Sequence, residues 1–137
     1  MALSFYEASP YSHVPIIHGV VDGTIDKLLL GEHTDSTVIL SLSDGRPVGM
    51  IAGTVQPFLF NNDRVATEIV WWMDEDFRKG RKSFQLLNAF EYWAKNVAKC
   101  DTILMSTLNS LQSDRIGKLY EKRGYKPAEN NYYLRVN

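Results

Sequence analysis

The sequence predicts an α+β fold in which a mixed, mostly antiparallel sheet is flanked by about four helices. Three observations predict this class. An Asp44-Gly45 turn separates two segments rich in β-branched and other apolar residues, as in a hairpin. A buried-looking strand, a short basic turn and an amphipathic helix follow one another over residues 68–93. Strand-like and helical segments then alternate toward the end of the chain, without an internal repeat.

Composition and charge narrow the classes of function. At 137 residues, 45% apolar and 23% charged, the chain has the size and composition of one globular domain over residues 1–137. A formal net charge of −1 gives no general attraction to nucleic acid or to membranes. Cys100 is the only cysteine, so an intrachain disulfide is impossible and a thiolate zinc site is not expected. The histidines lack ligand spacing, so we expect no metal; they are His13, His18 and His33. No apolar run reaches membrane-spanning length and no secretion signal opens the chain, so we expect a cytoplasmic protein.

The N-terminal region is predicted as a strand followed by two helices. Apolar residues alternate with other residues over positions 2–8, as in a strand. Ser9 and Pro10 then offer an N-cap followed by proline at the first helical position. A second short helix is predicted over residues 22–30 and ends at Gly31.

Three antiparallel strands are predicted next, over residues 37–43, 47–55 and 65–73. Residues 58–64 form a loop with exposed-looking aromatic side chains between the last two strands. This loop either closes over a substrate or forms a contact in a homodimer, and the sequence does not rank the two.

The C-terminal half completes the predicted order β-α-α-β-β-β-α-β-α-β. A helix is predicted after the basic turn because five apolar residues fall on one helical face: Leu86, Phe90, Trp93, Ala94 and Val97. A short buried strand at 102–106 precedes a helix that Ser113 caps and Gly124 ends. Residue 125 and residues 132–136 supply the closing strands.

The basic turn has the features of a phosphate site. Four basic residues surround Gly80 directly before a helix: Arg78, Lys79, Arg81 and Lys82. A helix start presents unpaired N–H groups and the positive end of the helix dipole, so it holds an anion mainly through main chain. The alternative is an ordinary strand-to-helix connection with a solvated charge run. Acidic residues at 74–76 balance the basic ones, so a nucleic-acid site is not expected.

Two segments resemble the GNAT superfamily of N-acetyltransferases. They are the strand, loop and helix start EIVWWMDEDFRKGRKS, which begins at Glu68, and the LYEKRGY motif from Leu119 to Tyr125. The likeness covers nearly the whole chain and extends to the order of elements. It implies a GNAT-like fold, acetyl-CoA as acyl donor, and a primary amine, on a small molecule or a protein, as acceptor. The short chain, with nothing appended to the minimal fold, also resembles small phage-encoded members of the family.

The resemblance implies roles for particular residues. Backbone groups of Trp71, Trp72 and Met73 would pair with the pantetheine arm and the acetyl carbonyl. The loop residues that would bind the pyrophosphate are Arg78, Lys79, Gly80, Arg81, Lys82, Ser83 and Phe84. Asn109 and Ser113 lie where relatives often have an asparagine that touches the cofactor, although Ser113 is equally well explained as an N-cap.

Arg81 departs from the family's loop pattern, Arg/Gln-x-x-Gly-x-Gly/Ala. With Arg78 at the start of that pattern, Arg81 takes the place of the first glycine and Ser83 that of the final small residue. A glycine at that place lets the backbone approach the phosphate closely. Three possibilities stay open. Gly80 takes over the role, Arg81 leaves the backbone passable and adds a charge-assisted contact, or CoA binding is lost.

The implied reaction requires a base for the ammonium group and an acid for the leaving thiolate. Glu68 is the candidate base, because burial in an apolar strand raises the pKa of a carboxyl group. Strand alternation places it on the same face as Val70 and Trp72. The alternative is that Glu68 pairs with a surface lysine or arginine. The resemblance implies Tyr120 as the acid, and the alternative is a core aromatic residue at i+4 from Ile116.

Two functions therefore stay open. The first is an acetyl-CoA-dependent N-acetyltransferase that acts by direct transfer. The second is a catalytically weak or inactive protein of the same fold that serves as a binding or assembly module, for which Arg81 is the reason. Gly117 within a helix costs roughly 1 kcal/mol against alanine. Close approach of the pantetheine arm would explain that glycine, and so would tight packing of the helix on the sheet.

Overall fold

A computed structural model describes residues 1–136 of the chain, which forms two compact units. The first unit runs from Met1 to Ser106, and the second begins at Thr107. The first unit holds the sheet and three α-helices, and the second holds one α-helix. The prediction of a single domain over residues 1–137 stays a prediction.

A four-stranded sheet in the order β1-β2-β3-β4 is the centre of the first unit. The strands are β1 (Ser36–Ser43), β2 (Arg46–Pro57), β3 (Arg64–Met73) and β4 (Thr102–Leu104). The first three strands pair with one another in antiparallel fashion, whereas β4 is parallel to β3. Asp44 and Gly45 have φ values of 49° and 76°, as a two-residue hairpin turn with φ positive at both positions requires. The three antiparallel strands and their hairpin are therefore confirmed.

Helix α3 (Arg81–Tyr92) packs its predicted apolar face on one side of the sheet. Leu86 and Phe90 are buried in the core, and a π-helical turn, Trp93–Val97, continues the helix. The π turn adds one residue to the repeat. Val97 is therefore 39% exposed, and Ala98, which is 2% exposed, takes its predicted place in the core.

The N-terminal region is helical where a strand was predicted. Residues Ala2–Ala8 form helix α1, so the predicted first strand is wrong. The segment consists mainly of alanine, leucine and glutamate, which favour helix, and the alternation of so few residues is a weak strand signal. The Phe5 ring packs edge-to-face against the Trp72 ring of β3, with centroids 6.4 Å apart.

A single helix, α2 (His18–Leu30), replaces the two that were predicted. Ser9 lies at the end of α1, where its hydroxyl donates to the Tyr6 carbonyl oxygen at 2.8 Å, so the helix start predicted there is wrong. Pro15 lies in the extended stretch before α2, because proline lacks an N–H and holds its predecessor out of the helical region. The predicted end of the helix at Gly31 is confirmed.

A β-bulge interrupts β3 opposite the middle of β2. Glu68 pairs with Gly53 and Val70 pairs with Ala52, so Ile69 is an extra residue between the two pairs. An extra residue in one strand shifts the alternation of all side chains beyond it to the other face of the sheet.

The bulge decides the sheet face on which Glu68 lies. Ala66, before the bulge, and Met73, after it, both pack into the core beneath α3. Glu68 is two residues after Ala66, so it shares the face that α3 covers. Its predicted placement on the face of Val70 and Trp72 is wrong, because that prediction assumed unbroken alternation.

Strand β4 is shorter and more exposed than predicted. It ends at Leu104, which is 42% exposed, instead of running buried to residue 106. Helix α4 (Ser113–Lys122) forms in the second unit, with Gln112 at its N-cap and Ser113 as its first residue.

The described part of the second unit, up to residue 136, contains no strand, so the predicted closing strands at 125 and 132–136 are wrong there. Tyr132 is 94% exposed and Val136 is 82% exposed. A strand requires a neighbour for its ladder, and the second unit by itself supplies none. The fold class is nevertheless confirmed as α+β, with a mixed and mainly antiparallel sheet and four α-helices in residues 1–136.

Candidate active site at the end of the third strand

The sheet opens between β3 and β4. Their ladder ends at the pair Thr67–Leu104, whereas β3 continues to Met73. The opening therefore begins at Glu68 and extends along the part of β3 that contains the predicted thioester contacts.

The side chains of the three residues predicted to contact the thioester are packed inside the protein. Trp71 is half-buried against the core and Met73 is buried in it. Trp72 is buried on the opposite face, where its Nε1 donates to Asp74 Oδ1 at 3.0 Å. The strand consequently has its main chain, and not these side chains, as its means of contacting a ligand in the opening.

The backbone at Arg81 is ordinary helix. Gly80 is the N-cap of α3, with φ −97° and ψ −177°, and Arg81 is the first helical residue. Neither residue has the left-handed conformation that demands glycine. A Cβ on Gly80 would meet only the Phe77 carbonyl oxygen, at 3.6 Å. The arginine therefore does not distort the turn, and Gly80 does not take over a left-handed role.

The first turn of α3 presents three N–H groups, those of Arg81, Lys82 and Ser83, for which a helix supplies no acceptor. Gly80 donates its own N–H to the Phe77 carbonyl oxygen at 3.3 Å. Within residues 1–136, no side chain caps this helix start. The arrangement fits an anion such as a phosphate group.

The basic side chains of the turn divide into two pairs. Arg78 donates from Nε to the Met73 carbonyl oxygen at 2.8 Å, and its guanidinium lies 4.6 Å from the centre of the Trp72 ring. Lys82 donates to the Leu42 carbonyl oxygen. Lys79 and Arg81 are exposed. Arg78 and Lys82 therefore fix the turn to the sheet, whereas the positive charges of Lys79 and Arg81 lie at the solvent-exposed surface.

Glu68 is a half-buried carboxyl group in the opening. Ser106 donates its backbone N–H to Glu68 Oε2 at 3.3 Å, which places the carboxylate between β3 and the chain that follows β4. Burial raises the pKa of Glu68 from 4.5 to about 7, and the Ser106 N–H opposes this rise. The alternative of a surface ion pair is wrong for residues 1–136, since the partner of Glu68 there is main chain.

Tyr120 lies in the second unit, where it belongs to the end of α4. Gly124 has φ 94° and donates its N–H to the Glu121 carbonyl oxygen, and Tyr125 donates to the Tyr120 carbonyl oxygen, both at 3.0 Å. These are the two bonds of a Schellman cap, and the Tyr120 and Tyr125 rings make its apolar contact at 5.4 Å between centroids. The LYEKRGY motif therefore specifies a helix end, and the role of Tyr120 as the acid stays a prediction.

Asn109 and Ser113 also lie in the second unit. Asn109 is exposed in a turn, and Ser113 is half-buried at the first position of α4. The interpretation of Ser113 as N-cap is wrong, because Gln112 occupies that position with φ 49°. A Cβ on Gly117 would meet no atom of the described part of the second unit within 4 Å, and both explanations offered for that glycine stay predictions.

The sequence interpretation missed the partners that shape the site. A Cβ on Gly53 would lie 2.6 Å from both the Phe90 ring and the Thr67 carbonyl oxygen. A glycine inside a strand signals a bulge or a close backbone approach, so Gly53 was the available signal. For Ser106, whose N–H reaches Glu68, the sequence contained no signal, because the contact joins residues 38 positions apart.

Residues 1–136 contain no group of three or more His, Cys, Asp or Glu side chains arranged to hold a metal ion. In the same part of the chain, none of the helices has the length and apolar character needed to span a bilayer.

Comparison with known proteins identifies the family. A sequence model described as the acetyltransferase (GNAT) family matches residues 6–125. AAC(6')-Iy, solved in complex with the bisubstrate analogue CoA-S-monomethyl-acetylneamine, is 17% identical with a TM-score of 0.71, over 96% of this chain and 86% of that chain. A transcriptional regulator from Bacillus halodurans C-125 is 20% identical with a TM-score of 0.72, over 89% of this chain and 78% of that chain. A putative acetyl transferase from Pyrococcus furiosus is 19% identical with a TM-score of 0.69, over 92% and 85% of the two chains.

At these identities, the likeness to solved structures shows the fold alone. No curated protein sequence matches the chain significantly. The family match, in contrast, covers most of the chain and includes both the opened strand and the α4 motif. The chain therefore belongs to the GNAT family of acetyltransferases.

Proposed function

We propose that the protein transfers an acetyl group from acetyl-CoA to a primary amine by direct transfer. One observation carries the proposal: the uncapped start of α3 follows the strand whose ladder ends early, so anion-binding amides and an open strand edge adjoin in sequence and space. The family match supports acetyl transfer as the reaction class. A structural neighbour solved with a CoA-containing bisubstrate analogue supports acetyl-CoA as the donor.

The residues present fit the pyrophosphate and the pantetheine arm. The N–H groups of Arg81, Lys82 and Ser83 would hold phosphate oxygens, and the exposed charges of Lys79 and Arg81 would add attraction. The main chain of β3 from Trp71 to Met73 would align the arm along the opening. The other predicted loop contacts stay predictions; they are Arg78, Gly80 and Phe84, together with Asn109 and Ser113 of the second unit.

Acetyl-CoA, when bound, supplies an already activated thioester. The protein then has to align the amine, remove a proton from its ammonium form and stabilise the developing oxyanion. Glu68, with a pKa of about 7, is matched to proton removal near neutral pH. A β3 amide near Met73 would donate to the oxyanion, and Tyr120 would return a proton to the thiolate.

The proposal extends to partners and location. The acceptor is an amine on a small molecule or a protein, and neither a metal nor nucleic acid takes part. We also propose a cytoplasmic location for the protein. Leu59 and Phe60 are 87% and 81% exposed at the tip of the 58–63 loop, which supports a homodimer contact there. Sedimentation of the wild type and of Leu59→Asp decides whether the tip joins two copies.

Two substitutions at Arg81 test whether its main-chain N–H binds the phosphate. Arg81→Met removes the charge, whereas Arg81→Pro removes the charge and the amide N–H. Proline is well tolerated at the first helical position after an extended residue, which Gly80 is. We expect acetyl-CoA affinity, measured by calorimetry, to fall less than tenfold in Arg81→Met. It should fall a further tenfold or more in Arg81→Pro, because a hydrogen bond to a charged group contributes roughly 1.5–3 kcal/mol.

Two results would contradict the proposal. Equal affinity of the two variants would show that the amide does not bind the phosphate. No heat from acetyl-CoA or CoA with the wild-type protein would reject the acetyltransferase and favour the binding or assembly module.

A further inference from the structure

Strand β1 is the outermost strand of the sheet, and its only sheet neighbour among residues 1–136 is β2. Val55 of β2 donates its N–H to the carbonyl oxygen of Asp35, just before β1, at 2.8 Å, which fixes the phase of the ladder. In an antiparallel ladder, residues that exchange hydrogen bonds with the neighbour alternate with residues whose N–H and C=O groups point away from it. The outward groups of β1 are therefore those of Ser36, Val38 and Leu40.

Both ends of this edge are covered by the protein itself. Ser36 donates its N–H to the carbonyl oxygen four residues earlier, at 3.1 Å. At the other end, Lys82 of α3 donates from Nζ to the Leu42 carbonyl oxygen, and lysine is a common protection of edge strands. Between these ends, no hydrogen bond within residues 1–136 reaches the outward groups of Val38 and Leu40. The edge is therefore open only at its centre.

The open centre is complementary to itself. Ile39 is its midpoint, and its own main-chain groups face β2. In a second copy that approaches edge to edge and antiparallel, with the two-fold axis at Ile39, each Val38 lies opposite a Leu40. Because both residues have outward N–H and C=O groups, each such pair exchanges two hydrogen bonds. Every outward group of the open centre then has a partner.

The charges at the two ends of the edge are also complementary. The antiparallel arrangement sets the end of one β1 level with the start of the other. Lys82, bound at the end of β1, thereby comes beside the exposed Glu32 of the second copy. Asp35 in the same turn is already paired with Arg64 of its own copy at 3.2 Å, and the hairpin turn at 44–46 contributes one charge of each sign. The two-fold axis makes the contact of Lys82 with Glu32 twice, and such complementarity selects one register over others.

A groove of about 290 Å³ adjoins the open centre on the side of α3. Ile39 and Leu42 of β1 line it, together with Gln85 and Ala89 of α3. Ile39 packs against the core on this side of the sheet, and in the two-fold pair it lies opposite Ile39 of the second copy. Since paired strands are roughly 4.8 Å apart, the second Ile39 side chain lies in or beside this groove.

From this geometry we propose that β1 pairs with β1 of a second copy of the chain, antiparallel and centred on Ile39, so that two sheets join into one. The inference goes beyond acetyl transfer and does not depend on it. An extended peptide of another protein could bond the same main-chain groups. The second copy is the occupant that matches both the two-fold placement of these groups and the opposite charges at the two ends.

A disulfide tests the register. Ile39→Cys, in a Cys100→Ser background, places two thiols in the one pair that lies on the axis. Opposed residues that exchange no hydrogen bonds have Cα atoms roughly 4.5 Å apart, a separation that a disulfide can span. We expect this variant, once oxidised, to migrate as a covalent dimer on a non-reducing gel. Leu42→Cys in the same background is the matched control. Leu42 is 51% exposed, but its two copies lie on the order of 20 Å apart in this register, so the control should stay monomeric.

Two substitutions at Leu40 test the main-chain bonds. Leu40→Ala removes the side chain, whereas Leu40→Pro also removes the outward N–H, which takes no part in the ladder with β2. Proline is tolerated at such a position of an edge strand. We expect the Kd of the dimer, measured by sedimentation equilibrium, to rise at least roughly fivefold more in Leu40→Pro than in Leu40→Ala, because each dimer loses two hydrogen bonds. The disulfide test stands whether or not the proline variant folds.

Three results would overturn the proposal. The first is a wild-type protein that sediments as a monomer at every concentration. The second is equal cross-linking of Ile39→Cys and Leu42→Cys. The third is a dimer that Leu59→Asp dissociates and Leu40→Pro leaves intact, which would place the contact at the 58–63 loop. None of these results bears on acetyl transfer, which calorimetry with acetyl-CoA tests separately.

Discussion

The raised pKa of the Glu68 carboxyl group bears on two things, the stability of the fold and the proposed role of Glu68 as base. Burial raises that pKa from 4.5 to about 7, so the folded state holds the proton more tightly than the unfolded state does. The stabilisation from this extra proton is complete below about pH 4.5 and is lost as the pH rises through about 7. The same shift places the group where a base can work at neutral pH.

Glu68→Gln is expected to remove both effects. The free energy of unfolding of the variant, relative to the wild type, should rise by roughly 2–3 kcal/mol between pH 4.5 and pH 8, measured by urea denaturation. In the wild type, kcat/KM should climb with pH up to about 7 and then level, whereas the variant should be slow throughout and bind acetyl-CoA normally.

The control for this experiment is Glu75→Gln, an exposed carboxylate in the turn after β3. A parallel pH dependence of wild-type and Glu68→Gln stability would contradict the burial argument. Normal turnover in Glu68→Gln would contradict its role as base.

At the same scale, the sequence identified Glu68 and Arg81 but did not give their environments. The apolar neighbours of Glu68 in the sequence indicated a raised pKa, and burial in the structure raises it. The predicted sheet face of Glu68 was wrong. Ile69 is an extra residue in the pairing of β3 with β2, and only the register of the two strands reveals it. For Arg81, a family pattern posed the question and the helical conformation of the residue answered it.

At the scale of elements, Gly53 of β2 lies opposite the bulge in β3, at a place with no room for a side chain. A side chain there would collide with the Phe90 ring and with the Thr67 carbonyl oxygen, each 2.6 Å from the position of a Cβ. The Phe90 ring is fully buried and the carbonyl belongs to the backbone, so neither can move aside cheaply.

Gly53→Ala should therefore destabilise the protein by roughly 1–3 kcal/mol, measured by thermal or urea denaturation. The matched control is Gly117→Ala in α4, where a Cβ meets no atom of the described part of the second unit within 4 Å. That variant should gain up to about 1 kcal/mol from helix propensity. A loss in Gly117→Ala, or no loss in Gly53→Ala, would contradict this account of the two glycines.

Elements with a strong local signal were predicted well, and those that depend on partners were not. The hairpin turn, α3 and the end of α4 are specified by Asp44-Gly45, by the apolar repeat and by Gly124. Segment 2–8 was assigned as a strand because a few alternating residues resemble one, whereas its propensity favours helix. Residues 132–136 alternate like a strand but find no neighbour in their unit.

At the scale of the whole molecule, acetyl-CoA binding should raise the stability of the folded protein. A ligand that binds only the folded state raises the free energy of unfolding by mass action, about 2.7 kcal/mol at 100 times its Kd. For a chain of 137 residues, this corresponds to a rise in Tm of roughly 5–10 °C.

Acetyl-pantetheine, which lacks the pyrophosphate, is the matched control ligand. We expect it to raise Tm by much less at the same concentration, because it leaves the α3 amides without their anion. Equal shifts from the two ligands would place the binding energy elsewhere than in the turn after β3.

The sequence by itself determined the fold class, the hairpin, the position of the basic turn before α3 and the candidate residues of the site. Each of these follows from local patterns: turn residues, helical periodicity and the charge of neighbouring positions. Only the tertiary structure decided the face on which Glu68 lies, its contact with Ser106 and the helical conformation of Arg81. Those features arise from strand register and from packing between distant segments, which no short stretch of sequence encodes.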